Sequence, residues 1–348
     1  MANKEKLIET KGRFEFVGIV AGLTRNNAFT EEKTKKDPNK KWRRLRFNIK
    51  TSKANSPTVE IMGSQVDTVK IKKKENKAEE RDIPFTKRNS LPEGWYLGGM
   101  LPTIGLEKEI DDKGVEKLKF ERLHGFDAVD KIYTLLKDGM SVKVTGRIEY
   151  SEYKDKQGKM KRQVTYRIDY IALTQEPVDF DAQDFEEQAF FHQEIVYDQS
   201  ALIDGKLHVD GICIAYNKTF APAQFVIDTA THPKLADNVS KRLKFGDTIP
   251  VYGRVISGAV AVEATTIEED DWGSDENPIP NATEWVNEMR ITGVESSNRV
   301  EGVYTEEDFA PSEEEQNYGN DAKDEEGSWN DNEDDLPPID ISDDDLPF

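Results

Sequence analysis

The chain has 348 residues, 36% of them hydrophobic and 33% charged, and its 48 Lys+Arg against 68 Asp+Glu give a formal net charge of −20. That length suggests about two folded units, and so polar a balance indicates that part of the chain is unstructured. No run approaches the ~20 apolar residues of a membrane span, the opening MANKEKLIETKG lacks a signal peptide's apolar core, and the single cysteine, Cys213, excludes an intrachain disulfide and a Cys-based zinc cluster.

Taken in chain order, alternation of apolar and polar residues predicts strands over 12–23, 42–50 and 58–71. A hairpin over 103–121 turns around Asp111–Gly114, and strands over 140–150 and 160–173 follow the one clear helix of this half, 126–137. That helix places Val129, Ile132 and Leu136 on one face and stops at Gly139, a C-cap position. The second half repeats this joint: Leu136–Ile148 (LKDGMSVKVTGRI) aligns without gaps on Leu243–Val255 (LKFGDTIPVYGRV), at a constant offset of 107. A helix, a Gly turn and a long strand carrying Gly-Arg therefore occur twice.

About five strands with a helix between the third and fourth is the order of an OB-fold, a small partly open barrel, and Gly146 and Gly253 suit its sharp strand bends. The expected class is all-β dominated, with tandem OB-like barrels, each with one helix. Residues 1–177 form a first unit with insertions at 26–41 and 72–125, and residues 178–304 a compact second one. Segment 270–282 reads as a loop and 283–304 as one further strand. Residues 305–348, with 18 acidic groups and one Lys, read as a disordered acidic tail.

The charge is distributed unevenly: +11 over 1–177, −8 over 178–269 and −23 over 270–348. A basic unit joined to an acidic end suits binding a polyanion and regulating that binding, although acidic tails also simply keep proteins soluble.

Catalytic constellations are hard to find. His124, His192, His208 and His232 show no ligand spacing, and no phosphate-binding Gly-rich motif occurs. Neither an enzyme nor a cofactor nor a metal site is expected. Nucleic-acid binding is better supported. In 42–50, Leu45, Phe47 and Ile49 take the core face, leaving Trp42, Arg44, Arg46 and Lys50 opposite, with Arg43 at the start. An exposed indole beside cations supplies a flat surface for a base and charges for phosphates. The hairpin 150–166 repeats the theme with Tyr150, Tyr153, Lys154, Lys161 and Arg162, and Trp95 and Tyr96 are placed to cover the cleft or plug the barrel. The basic run Lys70–Lys77 reads as a solvated loop.

The sequence closes on Asp343, Asp344, Asp345, Leu346, Pro347 and Phe348. An acidic run followed by a small apolar group has the form of a docking peptide, its apolar side chains filling a shallow pocket and its acids meeting a basic rim. This ending resembles that of bacterial and phage single-stranded DNA-binding proteins, in which an Asp run, an aliphatic residue, Pro and Phe close the chain. The resemblance rests on the tip, the tail and the domain order. It implies an OB domain that binds DNA and a tip that recruits replication, recombination and repair proteins. The bacterial proteins carry one short OB domain per chain in tetramers, so this chain looks like a phage or mobile-element version.

The expectation is thus a cytoplasmic, sequence-nonspecific single-stranded DNA-binding protein without a membrane partner. Its basic first unit would bind DNA, and its acidic second unit would serve dimerisation or scaffolding, in a possible homo-oligomer. The competing reading is an interaction adaptor or DNA mimic acting through the acidic regions, with a nuclease as a third.

Overall fold

The computed structural model describes residues 6–154, 158–261 and 283–309. The expected loop 270–282 and the tip Asp343–Phe348 lie outside these residues. The first half contains β1 (Gly12–Ala21), β2 (Phe29–Lys33), β3 (Lys41–Lys50), β4 (Thr58–Ser64), β5 (Thr68–Lys73), β6 (Glu80–Pro84), β7 (Trp95–Leu97), β8 (Thr103–Ile110), β9 (Glu116–Arg122), α1 (Gly125–Leu135), β10 (Ser141–Lys154) and β11 (Met160–Leu173). The second contains β12 (Gln188–Ile203), β13 (Lys206–Ile214), β14 (Phe220–Asp228), α2 (Pro233–Arg242), β15 (Thr248–Ala261) and β16 (Thr283–Val294).

Strand pairing closes two barrels of the same order. In the first, β1 pairs β3, β3 pairs β4, β4 pairs β11 in parallel, β11 pairs β10 and β10 returns to β1. In the second, β12, β13, β14, β16 and β15 close the same circuit, again with one parallel pair, β14 with β16. With α1 and α2 each lying between the third and fourth barrel strands, both barrels are OB-like. The alternation in the sequence explains the cores: Leu45, Phe47 and Ile49 fill the first barrel beside Val129, Ile132 and Leu136 of the helix joint.

The repeated joint is repeated in three dimensions. β10 begins at Ser141 and β15 at Thr248, the same 107-residue spacing. Gly139 and Gly246 both take positive φ, at 87° and 84°, where a side chain would be strained. Register shifts fall at Thr145/Gly146 and at Tyr252/Gly253. A Cβ on Gly146 would stand 1.9 Å from the Arg167 carbonyl oxygen, and one on Gly253 would stand 1.8 Å from that of Arg290.

The barrels are joined edge to edge. Residues 12–17 of β1 pair residues 188–193 of β12, so one sheet runs through both. A single core holds Phe14 and Phe16 of the first barrel with Phe191 and Phe225 of the second.

Three expected boundaries shift, and the strand expected over 283–304 ends at Val294. The strand expected over 58–71 is two: Gln65 ends the barrel ladder, with its side-chain oxygen accepting from Lys41 N (2.9 Å), and β5 joins a separate sheet, β6-β5-β7. At the other end, the stretch expected as tail from residue 305 begins with an ordered 3-10 turn, Glu306–Phe309. Asp308 pairs with Lys6 at 2.6 Å, and the Phe309 ring lies 5.1 Å from Phe220 and 5.4 Å from Tyr304. The acidic composition conceals these two anchors, one ionic and one aromatic. Among the described residues, no helix is long and apolar enough to cross a membrane, and no cluster of His, Cys, Asp and Glu is arranged to hold a metal ion.

Candidate functional site

A cleft of about 720 Å3 lies where the outer face of the first barrel meets the β13–β14 turn of the second. Its floor is the non-core face of β3, β4, β10 and β11, a consequence of period-two alternation: with Leu45, Phe47, Val59, Ile61 and Tyr166 turned inward, Arg44, Arg46, Glu60, Met62, Thr165 and Arg167 turn outward. Lys11 and Arg13 stand exposed at one rim. Beside them lie Cys213–Asn217 and Thr219, with Ile214 O accepting from Thr10 N at 2.9 Å and Tyr216 87% exposed.

The floor is charged but organised. Glu60 sits between Arg46 (3.4 Å) and Arg167, and Arg167 also donates to Glu149 at 2.9 and 3.1 Å. Arg147 pairs with Asp169 at 3.0 Å. Burial works against the charge of Arg167, but Glu60 and Glu149 outweigh it and raise its pKa. Burial pushes the Arg44 guanidinium down, opposed by Glu60. Carboxylates thus hold the Arg46, Arg147 and Arg167 guanidiniums in fixed directions, which lowers the entropy lost when they meet an anion.

The structure brings together some of the sequence-predicted residues and not others. Trp42, Arg44, Arg46, Tyr150 and Tyr153 all line the cleft. Trp42 and Arg44 were expected on an exposed face, and this is corrected: they are 4% and 8% exposed, with the guanidinium 5.9 Å from the indole centroid. A buried indole is a wall, not an open stacking platform. Arg43 belongs to the opposite face, where it lies 4.1 Å over the Phe126 ring and donates to Glu31 at 2.7 Å. Tyr150 turns toward the second barrel, with its hydroxyl 3.5 Å from Met289 Sδ, and burial raises its pKa well above the usual phenol range. Lys50, Lys154, Lys161 and Arg162 lie outside the cleft lining, on the same strands. Trp95 and Tyr96 neither cover the cleft nor plug a barrel. They form part of the inserted β7, where Arg81 stands 4.3 Å over the Trp95 ring.

Sequence reasoning missed Arg13, Arg147, Arg167 and Tyr216. The first three were legible from alternation in β1, β10 and β11. Tyr216 carries no periodic signal, being a single aromatic at the turn Tyr216-Asn217-Lys218 of a unit with net negative charge. His124 is structural: its Nδ1 accepts from Phe126 N at 3.3 Å and caps α1.

Two OB-like barrels in one continuous sheet, with an arginine-rich, aromatic cleft at their junction, define the class of protein to which this chain conforms. The chain belongs to the YorF family, whose model matches residues 102–328. Among solved structures, it is similar to a deletion mutant of the single-stranded DNA binding protein from Thermus aquaticus, at 12% identity and a TM-score of 0.38 over 83% of this chain and 95% of that one. It is also similar to a small single-stranded DNA-binding protein from Streptomyces coelicolor, at 10% identity and a TM-score of 0.18 over 49% of this chain and 97% of that one. No curated protein matches the chain.

Proposed function

We propose that this chain is a non-enzymatic, sequence-nonspecific single-stranded DNA-binding protein that coats single strands in replication, recombination and repair. The observation that carries this reading is the cleft: Lys11, Arg13, Arg44, Arg46, Arg147 and Arg167 line one groove with Tyr153 and an exposed Tyr216, walled by the buried Trp42. Cations that follow a backbone, interleaved with rings on which bases stack, suit a flexible strand of any sequence. A duplex would present stacked bases out of reach of Tyr216. The acidic segment ending Asp343-Asp344-Asp345-Leu346-Pro347-Phe348 is proposed to recruit partner proteins, in keeping with its resemblance to the docking tips of single-stranded DNA-binding proteins.

A salt titration of the full chain against oligo-dT tests the binding. Log affinity should fall linearly with log salt, by about 0.7 per phosphate contacted. An adaptor or DNA mimic has no affinity to titrate, and absence of binding at low salt overturns the proposal.

A further inference from the structure

The outer face of the joint between the barrels carries a second basic and aromatic surface that leads out of the cleft. Because β1 pairs both β10 and β12, residues from five strands stand in one transverse row: Arg167 opposite Arg147, Arg147 opposite Arg13, Arg13 opposite His192, and His192 opposite Tyr252. All five belong to the outward parity of their strands, since their sequence neighbours Tyr166, Ile148, Phe14, Phe191 and Val251 are buried. At about 4.8 Å between strands, the row spans about 19 Å. In the next row Phe190 stands opposite Arg254, whose guanidinium lies 5.7 Å over the phenyl ring.

Three features distinguish this surface from ordinary solvated strands. Phe190 and Tyr252 are large rings left 40% and 42% exposed, in adjacent rows and diagonal to each other on a strand pair with its backbone already hydrogen-bonded. Among the described residues, neither Arg13 nor Arg254 is paired with a carboxylate, although Asp169 holds Arg147 and Glu295 lies 2.9 Å from His192. Moreover, Arg254 is the counterpart, 107 residues on, of Arg147 in the cleft, so the repeated Gly-Arg puts an outward arginine at the same place in each barrel.

We infer that single-stranded DNA leaving the cleft continues across the β1–β12 joint onto the second barrel, with Phe190 and Tyr252 as its stacking surfaces and Arg254 as a phosphate contact. The inference rests on the reading of the cleft as a single-strand site. It assigns the second barrel a direct part in binding despite its negative net charge, and it makes the joint the element that sets the length of strand covered.

The test compares full-length wild type with Phe190→Ala/Arg254→Ala and, separately, Arg254→Glu, all exposed-surface changes, using oligo-dT of about 8 and about 30 nucleotides. Both variants should bind the short oligonucleotide as wild type does. Each should bind the long one at least about 10-fold more weakly, with the salt slope reduced by about 0.7 for the lost cation. If wild type binds neither oligonucleotide, the reading of the cleft fails and this inference with it. If wild type binds both and the variants lose nothing on the long strand, the track ends at the cleft. Equal losses on both lengths also overturn it, since the surface then acts within the cleft or on the fold. Photocross-linking of halogenated oligo-dT provides a second readout: adducts at Phe190 or Tyr252 support the track, and adducts confined to the cleft overturn it.

Discussion

Trp42 and Tyr216 line the same cleft with opposite degrees of exposure, and this decides what each substitution reports. Tyr216 is 87% exposed and Trp42 only 4%. Tyr216→Ala should leave urea unfolding unchanged while weakening oligo-dT binding by about 1–3 kcal/mol, the contribution of one stacked base. Trp42→Ala should instead cost about 3–5 kcal/mol of stability, as large-to-small core changes do, so its effect on binding cannot be separated from its effect on the fold. An unaltered affinity for Tyr216→Ala would remove that ring from the site. Period-two alternation puts Trp42, Arg44, Arg46 and Lys50 on one face of β3, of which the first three lie in the cleft floor and Lys50 lies outside it. Alternation alone could not show that this face is enclosed, because Met100, Cys213–Asn217 and Thr219, which complete the cleft, are distant in sequence.

The helix–Gly–strand joint was legible as a repeat because its glycines are required by geometry. At Gly146 and Gly253 the obstacle to a Cβ is a carbonyl oxygen of the paired strand, at 1.9 and 1.8 Å, and backbone in a closed barrel has little room to retreat. Gly146→Ala and Gly253→Ala should each destabilise by about 1–3 kcal/mol or more, read by chemical denaturation. The inserted sheet was less legible: β5 and β6 are short and charged, β7 is only three residues long, and they are anchored by the Phe85–Phe126 contact and the two-pronged Arg88–Asp127 pair at 2.6 and 2.7 Å, which no local pattern encodes. Asp247, only 2% exposed, anchors the end of the second barrel by accepting from Lys244 N (3.0 Å), Gly302 N (2.9 Å) and Arg299 Nη2 (2.7 Å). Burial alone would raise its pKa, but these donors outweigh it and hold the carboxyl below the usual range. A depressed folded pKa stabilises above the unfolded value near 3.9 and loses that contribution as pH falls through the folded pKa. Asp247→Asn should therefore cost about 1–3 kcal/mol at pH 7. Its deficit relative to wild type should shrink as unfolding is measured at progressively lower pH, and a deficit independent of pH would refute the ionic account.

At the scale of the whole molecule, the shared sheet and core make the two barrels one folding body, so a fragment of residues 1–177 would lose the β12 strand that covers the edge of β1. Division of labour is better tested in the intact chain, and the acidic segment offers a way to do so. Phe309, the last described residue, packs against Phe220, which follows directly on the cleft-lining Thr219, and shares a small core with Ile214 of the cleft wall. The segment beyond it therefore starts beside the cleft, and residues 310–348 carry 15 Asp+Glu against one Lys. Tethered there, these carboxylates should compete with phosphates for the cleft cations at a high effective concentration. A chain ending at Phe309 should bind oligo-dT more tightly than the full chain at low salt. The gap should narrow toward physiological ionic strength, as the Debye length falls to about 8 Å. Deleting Phe348 alone removes no side-chain charge and should leave DNA affinity nearly unchanged while abolishing capture of partner proteins. Anisotropy across a salt series and pull-down with purified replication proteins separate the two effects. Weaker binding by the truncated chain at low salt would refute the competition, and partner capture unaffected by loss of Phe348 would refute the docking role.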